Sequence, residues 1–178
     1  GGMDCSEQYY LDFLNNDSRN EFIALHDVGA CTRQIAEHIG PFVYQASTST
    51  ACSSAANAII HAARMLECGE AEMAVAGGTE CLTKFHLNGF NSLLILDNAP
   101  CRPFCKTRAG LNLGEGAAYV VLETPEAAQR RGHQPVAILT GYGNACDAFH
   151  QTATSETADG PYLAMRKALE KGGLTAQD

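Results

Sequence analysis

Apolar residues recur at helical spacing in the first part of the chain. Two helices are predicted within residues 6–39, and the second runs from about Val28 to Ile39 before Gly40-Pro41 ends it. The apolar face of the first helix is formed by Tyr9, Tyr10, Phe13 and Leu14. A longer helix is predicted after Ala51, with Gly69 as its C-cap. Its broad, alanine-rich apolar face predicts close packing on both sides, near the centre of the molecule.

Four short segments have the composition of strands. They are residues 42–50, 72–76, 117–123 and 135–143. Gly77-Gly78 is predicted to break the second strand, and a short helix over 125–132 begins at a proline. A last amphipathic helix is predicted from Ala158 to Gly172. Strands that alternate with helices imply an α/β layer fold with buried strands.

Residues 81–116 have weak periodicity and many turn-forming residues. They include Pro100, Pro103, Gly110 and Gly114. A long irregular region is predicted here, and such a region in a compact domain is often functional.

Composition and charge exclude several classes of protein. With 178 residues, 46% of them hydrophobic and 18% charged, the chain has the profile of one globular domain or part of a larger one. A net charge of −8 disfavours nucleic acid and anionic membranes as partners. No apolar run approaches the ~20 residues that span a bilayer. The sequence has eight cysteines but shows no signal peptide, no CxxC pair and no cysteine spacing typical of a zinc site. It therefore predicts reduced thiols, no bound metal and a cytoplasmic protein.

The most informative segment is the predicted strand-to-helix junction around Cys52. A cysteine at the start of a helix faces unpaired N–H groups and the positive end of the helix dipole, which favour the thiolate form. The same N–H groups can hold the oxyanion that forms when a thioester is attacked. The small neighbours Ala51, Ser53 and Ser54 leave room for an acyl group. The competing interpretation is a small, inert core cysteine, which most cysteines are.

Several motifs, in order and at consistent spacing from Gly40 onward, carry a family resemblance. They are STACSSAANAI (49–59), HAARMLECGEAEMAVAGGTE (61–80), CRPFCKTRAGLNLGEGAAYVVLE (101–123), GYGNACDAFHQTATSE (141–156) and GPYLAMRKALEKGGL (160–174). The chain resembles the elongating β-ketoacyl-acyl carrier protein synthases, of the synthase II type, in the thiolase superfamily. The resemblance implies a thiolase-like, layered α-β-α-β-α architecture, present here only in part.

The resemblance also implies a reaction, a decarboxylative Claisen condensation in fatty acid, polyketide or polyene synthesis. Cys52 is expected to take an acyl group from acyl carrier protein, and a malonyl thioester then supplies two carbons. No cofactor or metal is implied. The full-length enzyme is expected to be a homodimer.

Four further positions match family residues near the substrate. Phe90 matches a phenylalanine close to the acyl pocket. Asp147, His150 and Thr152 match a DAxHxT loop beside the active site, and His150 is expected to hold this loop rather than form a dyad with Cys52. One departure is Cys105, which stands where the family usually has aspartate.

Residues 1–178 are expected to form a partial synthase domain. The resemblance places an opening strand and helix before Gly1 and both catalytic histidines beyond Asp178, so the chain alone is not expected to condense. Two alternatives stay open. One is a non-catalytic chain-length partner subunit, in which the nucleophile is usually replaced, and the other is another thiolase-type acyltransferase.

Overall fold

The computed structural model describes residues 6–16, 25, 27–150 and 152–178. Its helices and strands are α1 (Ser6–Asn16), α2 (Ala30–Ile39), α3 (Ser54–Glu67), β1 (Met73–Glu80), α4 (Lys84–Ser92), β2 (Gly116–Glu123), α5 (Pro125–Arg130) and α6 (Asp159–Gly172). The chain divides into two compact units: unit 1 comprises residues 1–58 and 77–119, and unit 2 comprises 59–76 and 120–178.

The strands β1 and β2 pair with each other and form the sheet of the described residues. The N–H of Thr124, just after β2, donates to the carbonyl of Glu72, just before β1, at 3.0 Å. Further along, Gly77 lies against Ala118 and Tyr119. These pairings run in opposite senses along the two strands, so the strands are antiparallel.

The prediction that Gly77-Gly78 breaks the strand after residue 76 is wrong. Strand β1 continues through both glycines to Glu80. A Cβ on Gly77 would lie 2.1 Å from the carbonyl oxygen of Ala118, and one on Gly78 would lie 2.8 Å from the Cβ of Ala55. The glycines therefore allow close approach of the neighbouring backbone and of α3, and do not form a turn.

Two predicted strands, residues 42–50 and 135–143, are also wrong. Neither segment contains regular structure. A strand requires a ladder of backbone hydrogen bonds, and no neighbour among the described residues supplies one to either segment. In the first segment the Oγ atoms of Ser47 and Thr32 lie 2.6 Å apart, and Thr48 Oγ1 donates to the carbonyl of Ser54 at 2.8 Å.

The predicted irregular region, 81–116, contains a helix that its weak periodicity conceals. Helix α4 begins after Thr83, whose side chain accepts the N–H of His86. The rest of the region has defined geometry, because Asp97 N–H donates to the carbonyl of Leu111, and the N–H of Leu111 to that of Ile95, each at 2.9 Å. Within unit 1, α4 packs against α1.

The predicted helices are confirmed. Helices α1 and α2 lie within residues 6–39, although the side chains of Tyr9 and Tyr10 lie outside the described part of the chain. Helix α3 is followed by Gly69 at φ +73°, as expected for a C-terminal glycine. Helices α5 and α6 match the predictions to within two residues.

Burial is more limited than the apolar pattern predicts. The buried apolar side chains of the described residues are Ala30, Cys31, Ala36, Ala62, Ala63, Ala76, Ala127 and Ala128. Helix α3 buries Ala62 and Ala63 but leaves Ala55 and Ala56 exposed, so the predicted packing on both sides is wrong for this chain. Strand β2 is mostly exposed as well, because no second layer of described residues covers it.

None of the helices in the described residues combines the length and apolar composition that a bilayer crossing requires.

Candidate functional site

Cys52 lies in the middle of a single 3₁₀ turn, Ala51–Ser53, that leads directly into α3. This is the predicted position at the start of the helix. The residue is exposed, as are Ala51 and Ser53 on either side of it. A solvent-accessible thiol flanked by small side chains leaves room for a thioester to approach the sulfur.

Side chains of the surrounding serines and threonine hold the turn in place. Ser53 Oγ donates to the carbonyl of Thr50, and Ser54 Oγ to that of Ala51, both at 2.7 Å. Asn57, one turn into α3, donates from Nδ2 to Thr50 Oγ1 at 2.8 Å. Sequence reasoning treated these residues only as small neighbours. Their spacing at positions i and i+3 is the signal of local side-chain to backbone bonding that could have identified this role.

The backbone at the turn combines strain with an available donor. Ala51 adopts φ +50°, which is unfavourable for a residue with a Cβ. The N–H of Ser53 is bonded to the carbonyl of Thr50 and that of Ser54 to the carbonyl of Ala51. Among the described residues, no hydrogen bond engages the N–H of Cys52. A free N–H beside the sulfur is the arrangement that an oxyanion formed at Cys52 requires.

Phe90 lies on α4 and lines a cleft of about 160 Å³ in unit 1. The cleft wall is largely apolar and includes Leu82, Leu113 and Cys81, with polar groups from His86, Asn112 and Glu80. Apolar walls with a few placed polar groups are typical of small-molecule sites. Cys52 also belongs to unit 1, but it is not among the residues that line this cleft.

The three loop residues of the predicted site lie in unit 2. Asp147 Oδ2 accepts the N–H of Ser155 at 2.8 Å, and this backbone hydrogen bond is the main reason that the pKa of Asp147 is lowered. His150 Nδ1 accepts the N–H groups of Thr152 at 3.1 Å and Ala153 at 3.2 Å, so the ring turns back onto its own loop. These contacts give Asp147 and His150 a loop-holding geometry.

Cys105 is a second thiol with a distinctive environment. Its Sγ lies 3.2 Å from Thr107 Oγ1, and the backbone carbonyl of Cys105 accepts from Arg108 Nη1 at 2.9 Å. Hydrogen bonds from Thr107, with a smaller contribution from the charge of Arg108, lower the pKa of this thiol. Any test of Cys52 reactivity therefore needs Cys105 as its control.

The beta-ketoacyl synthase N-terminal domain matches residues 34–128 of the chain. The chain belongs to the beta-ketoacyl synthase family. Nodulation protein E of Rhizobium meliloti is 37% identical over 183 residues, covering 100% of this chain and 45% of that protein. 3-oxoacyl-[acyl-carrier-protein] synthase 2 of Rhizobium meliloti (strain 1021) is 44% identical over 140 residues, covering 74% of this chain and 33% of that protein. The chain thus spans less than half the length of these relatives.

Solved ketosynthase structures share the fold. The ishigamide ketosynthase/chain length factor superimposes with a TM-score of 0.87 at 28% identity, over 97% of this chain and 43% of that one. A ketosynthase in complex with its chain length factor from Xenorhabdus doucetiae gives a TM-score of 0.79 at 30% identity, over 96% of this chain and 42% of that one. The predicted family and the predicted thiolase-like α/β fold class are confirmed.

Proposed function

We propose that this chain supplies the acyl-accepting part of a 3-oxoacyl-acyl carrier protein synthase, with Cys52 as the nucleophile. The observation that carries the proposal is the exposed Cys52 thiol in the turn before α3, next to its own unengaged N–H. Family membership supports the same role, because the matched domain includes this turn. Acyl carrier protein is the proposed acyl donor.

In the first step, the sulfur of Cys52 attacks the carbonyl carbon of an acyl thioester. A new C–S bond forms and the carbonyl oxygen becomes an oxyanion, which the N–H of Cys52 stabilises by a hydrogen bond. Collapse of this intermediate breaks the bond to the thiol of the carrier. That thiol leaves with the proton that the Cys52 thiol lost, and the acyl group stays on Cys52.

In the second step, a malonyl thioester loses CO₂, and the resulting carbanion attacks the acyl group on Cys52. A C–C bond forms, the C–S bond to Cys52 breaks so that Cys52 leaves as a thiolate, and the product on the carrier is two carbons longer. The family resemblance assigns this step to two histidines in motifs that the 178 residues do not contain. We therefore expect the isolated chain to be acylated without condensing.

Intact-mass measurement of the purified chain after incubation with octanoyl-acyl carrier protein tests the proposal. We expect one acyl group on the wild type and on Cys105→Ala, and none on Cys52→Ala. Cys105→Ala is the matched control because its thiol also has an environment that favours reactivity. Equal labelling of wild type and Cys52→Ala would refute the proposal, and peptide mapping would then locate the reactive thiol.

The same experiment addresses the alternative of a non-catalytic chain-length partner. Two of the solved structures that this chain resembles are complexes of a ketosynthase with a chain length factor. The retained Cys52 favours the ketosynthase role. A chain-length partner is expected to remain unlabelled at Cys52 when the donor is a loaded carrier protein.

A further inference from the structure

His86 presents a polar group to the cleft that Phe90 lines. The two residues are four positions apart on α4, which places their side chains on the same face of the helix. Both belong to the wall of the same cleft, together with Leu82 and Leu113. The His86 side chain is 29% exposed, so it is partly shielded from bulk water.

Thr83 fixes the orientation of the His86 ring. Thr83 Oγ1 accepts the backbone N–H of His86 at 3.1 Å and lies 3.0 Å from Nδ1 of the ring. Glu80 Oε1 lies farther from the same Nδ1, at 3.9 Å. Because Nδ1 is engaged by Thr83, the ring nitrogen through which His86 can contact a bound molecule is Nε2.

Helix capping does not account for the imidazole. The cap of α4 uses the backbone N–H of His86, which any residue except proline would provide. The ring instead adds a hydrogen-bonding group to a wall that is mainly apolar. In a site with few polar groups, each one determines which ligand orientation and which ligand class are favoured.

We infer that His86 selects acyl groups that carry an oxygen, as a hydroxyl or keto group, in the part of the chain that enters this cleft. The inference rests on the proposed function, in which the acyl group is attached to Cys52. A cleft of about 160 Å³ has room for roughly five water-sized groups, so it accommodates a segment of an acyl chain. A saturated acyl segment in the cleft offers no hydrogen-bond partner to Nε2 of His86. A hydroxyl or keto oxygen at the position of the ring forms a hydrogen bond with Nε2.

The test compares acyl transfer to Cys52 from N-acetylcysteamine thioesters of octanoate and of its 3-, 5- and 7-hydroxy isomers. We expect at least one hydroxy isomer to be transferred roughly five-fold faster than octanoate, the value of one net hydrogen bond. His86→Leu is expected to abolish that preference, so that the hydroxy isomers are transferred no faster than octanoate. His86→Gln, which retains a donor, is expected to keep part of it, and His133→Leu, a histidine in unit 2, is expected to change nothing.

The outcomes separate this inference from the proposed function. If Cys52 is labelled but no hydroxy isomer is preferred, or if the preference survives His86→Leu, the inference is wrong and the proposed function stands. If Cys52 is not labelled at all, the inference is tested by thioester binding to the cleft instead of by acyl transfer. In Cys52→Ala, NMR of the ¹³Cε1–¹H group of His86 should respond to a hydroxy thioester and not to octanoyl thioester. Equal responses, or none, would overturn the inference.

Discussion

Asp147 accepts the backbone N–H of Ser155 at 2.8 Å, and this bond ties the loop that carries His150 to the segment before α6. Ser155 in turn accepts the N–H of Asp159, the first residue of that helix, on its Oγ at 3.0 Å. The two bonds form a continuous connection from the loop to the helix. Disturbing Asp147 is therefore expected to affect both the loop and the start of α6.

Acid should weaken this connection. The pKa of Asp147 is lowered in the folded chain, chiefly by the N–H of Ser155, so its contribution to stability is present above the pKa of the unfolded state and is lost as pH falls through the folded value. Asp147→Ala is expected to lower the urea midpoint at pH 7, and the difference from wild type should shrink as the pH falls below about 4.

The control for Asp147 is Glu156→Ala, which removes another carboxylate from the same loop. Among the described residues, the Glu156 carboxylate makes no hydrogen bond, unlike that of Asp147. Glu156→Ala should shift the urea midpoint little at pH 7. A difference between wild type and Asp147→Ala that stays constant as the pH falls below about 4 would contradict the assignment of Asp147 as an ionised acceptor.

Ala51 is the strained position next to the proposed nucleophile. At φ +50° glycine is allowed without steric cost, whereas a β-branched residue is strongly disfavoured. Ala51→Gly should leave the free energy of unfolding within about 1 kcal/mol of wild type, because relief of strain offsets the greater freedom of the unfolded chain. Acylation of Cys52 should continue at a similar rate.

Ala51→Val is the informative counterpart. It should destabilise the turn by more than about 1 kcal/mol and slow acylation, because the backbone of residue 51 must rotate and shift Cys52 from its position before α3. Urea unfolding and time-resolved intact-mass measurements would check the two effects. If valine is tolerated as well as glycine, the turn does not have the positive φ on which the site geometry depends.

Thr83 connects the stability of α4 to the geometry of the cleft. Thr83→Val keeps the shape of the side chain but removes the oxygen that accepts the N–H of His86, and it should destabilise the chain by about 1 kcal/mol. Thr83→Ser retains the oxygen and should remain close to wild type. Urea unfolding distinguishes the two variants, and equal midpoints would show that the cap contributes nothing.

Helices were predictable from the sequence because their signals are local. Each signal lies within a few residues of the helix that it defines. The signals are the alanine-rich face of α3, Gly69 after its C-terminus and Pro125 at the start of α5. Cys52 was located for the same reason, since its position depends only on the start of α3. Helix α4 was missed because its cap residue, Thr83, precedes a sequence with weak periodicity.

Strands and pairings were harder to predict because they depend on distant partners. Residues 42–50 and 135–143 have strand-like composition, but composition does not state which segment supplies the hydrogen-bonded neighbour. Val136, for example, is fully exposed here although its pattern predicts burial. The family resemblance placed Phe90 near an acyl pocket, but the other walls of its cleft were not predicted, because they come from β1, α4 and the segment before β2.

Gly77 should be among the least replaceable residues of the sheet. A Cβ there would lie 2.1 Å from the carbonyl oxygen of Ala118 and 2.7 Å from the Cα of Tyr119, so β2 must move to accept it. Gly77→Ala is expected to destabilise the chain by roughly 1–3 kcal/mol, the usual range for overpacking. Urea unfolding followed by far-UV circular dichroism measures this loss.

The matched control is Gly89→Ala in α4, where a Cβ would meet nothing within 4 Å. Because glycine is a poor residue inside a helix, this change should stabilise the chain by about 0.5–1 kcal/mol. The two substitutions add the same methyl group and are expected to have opposite signs. If Gly77→Ala unfolds at the same urea concentration as wild type, the close antiparallel approach of β1 and β2 at this position is wrong. The pairing register of the sheet would then need to be reassigned.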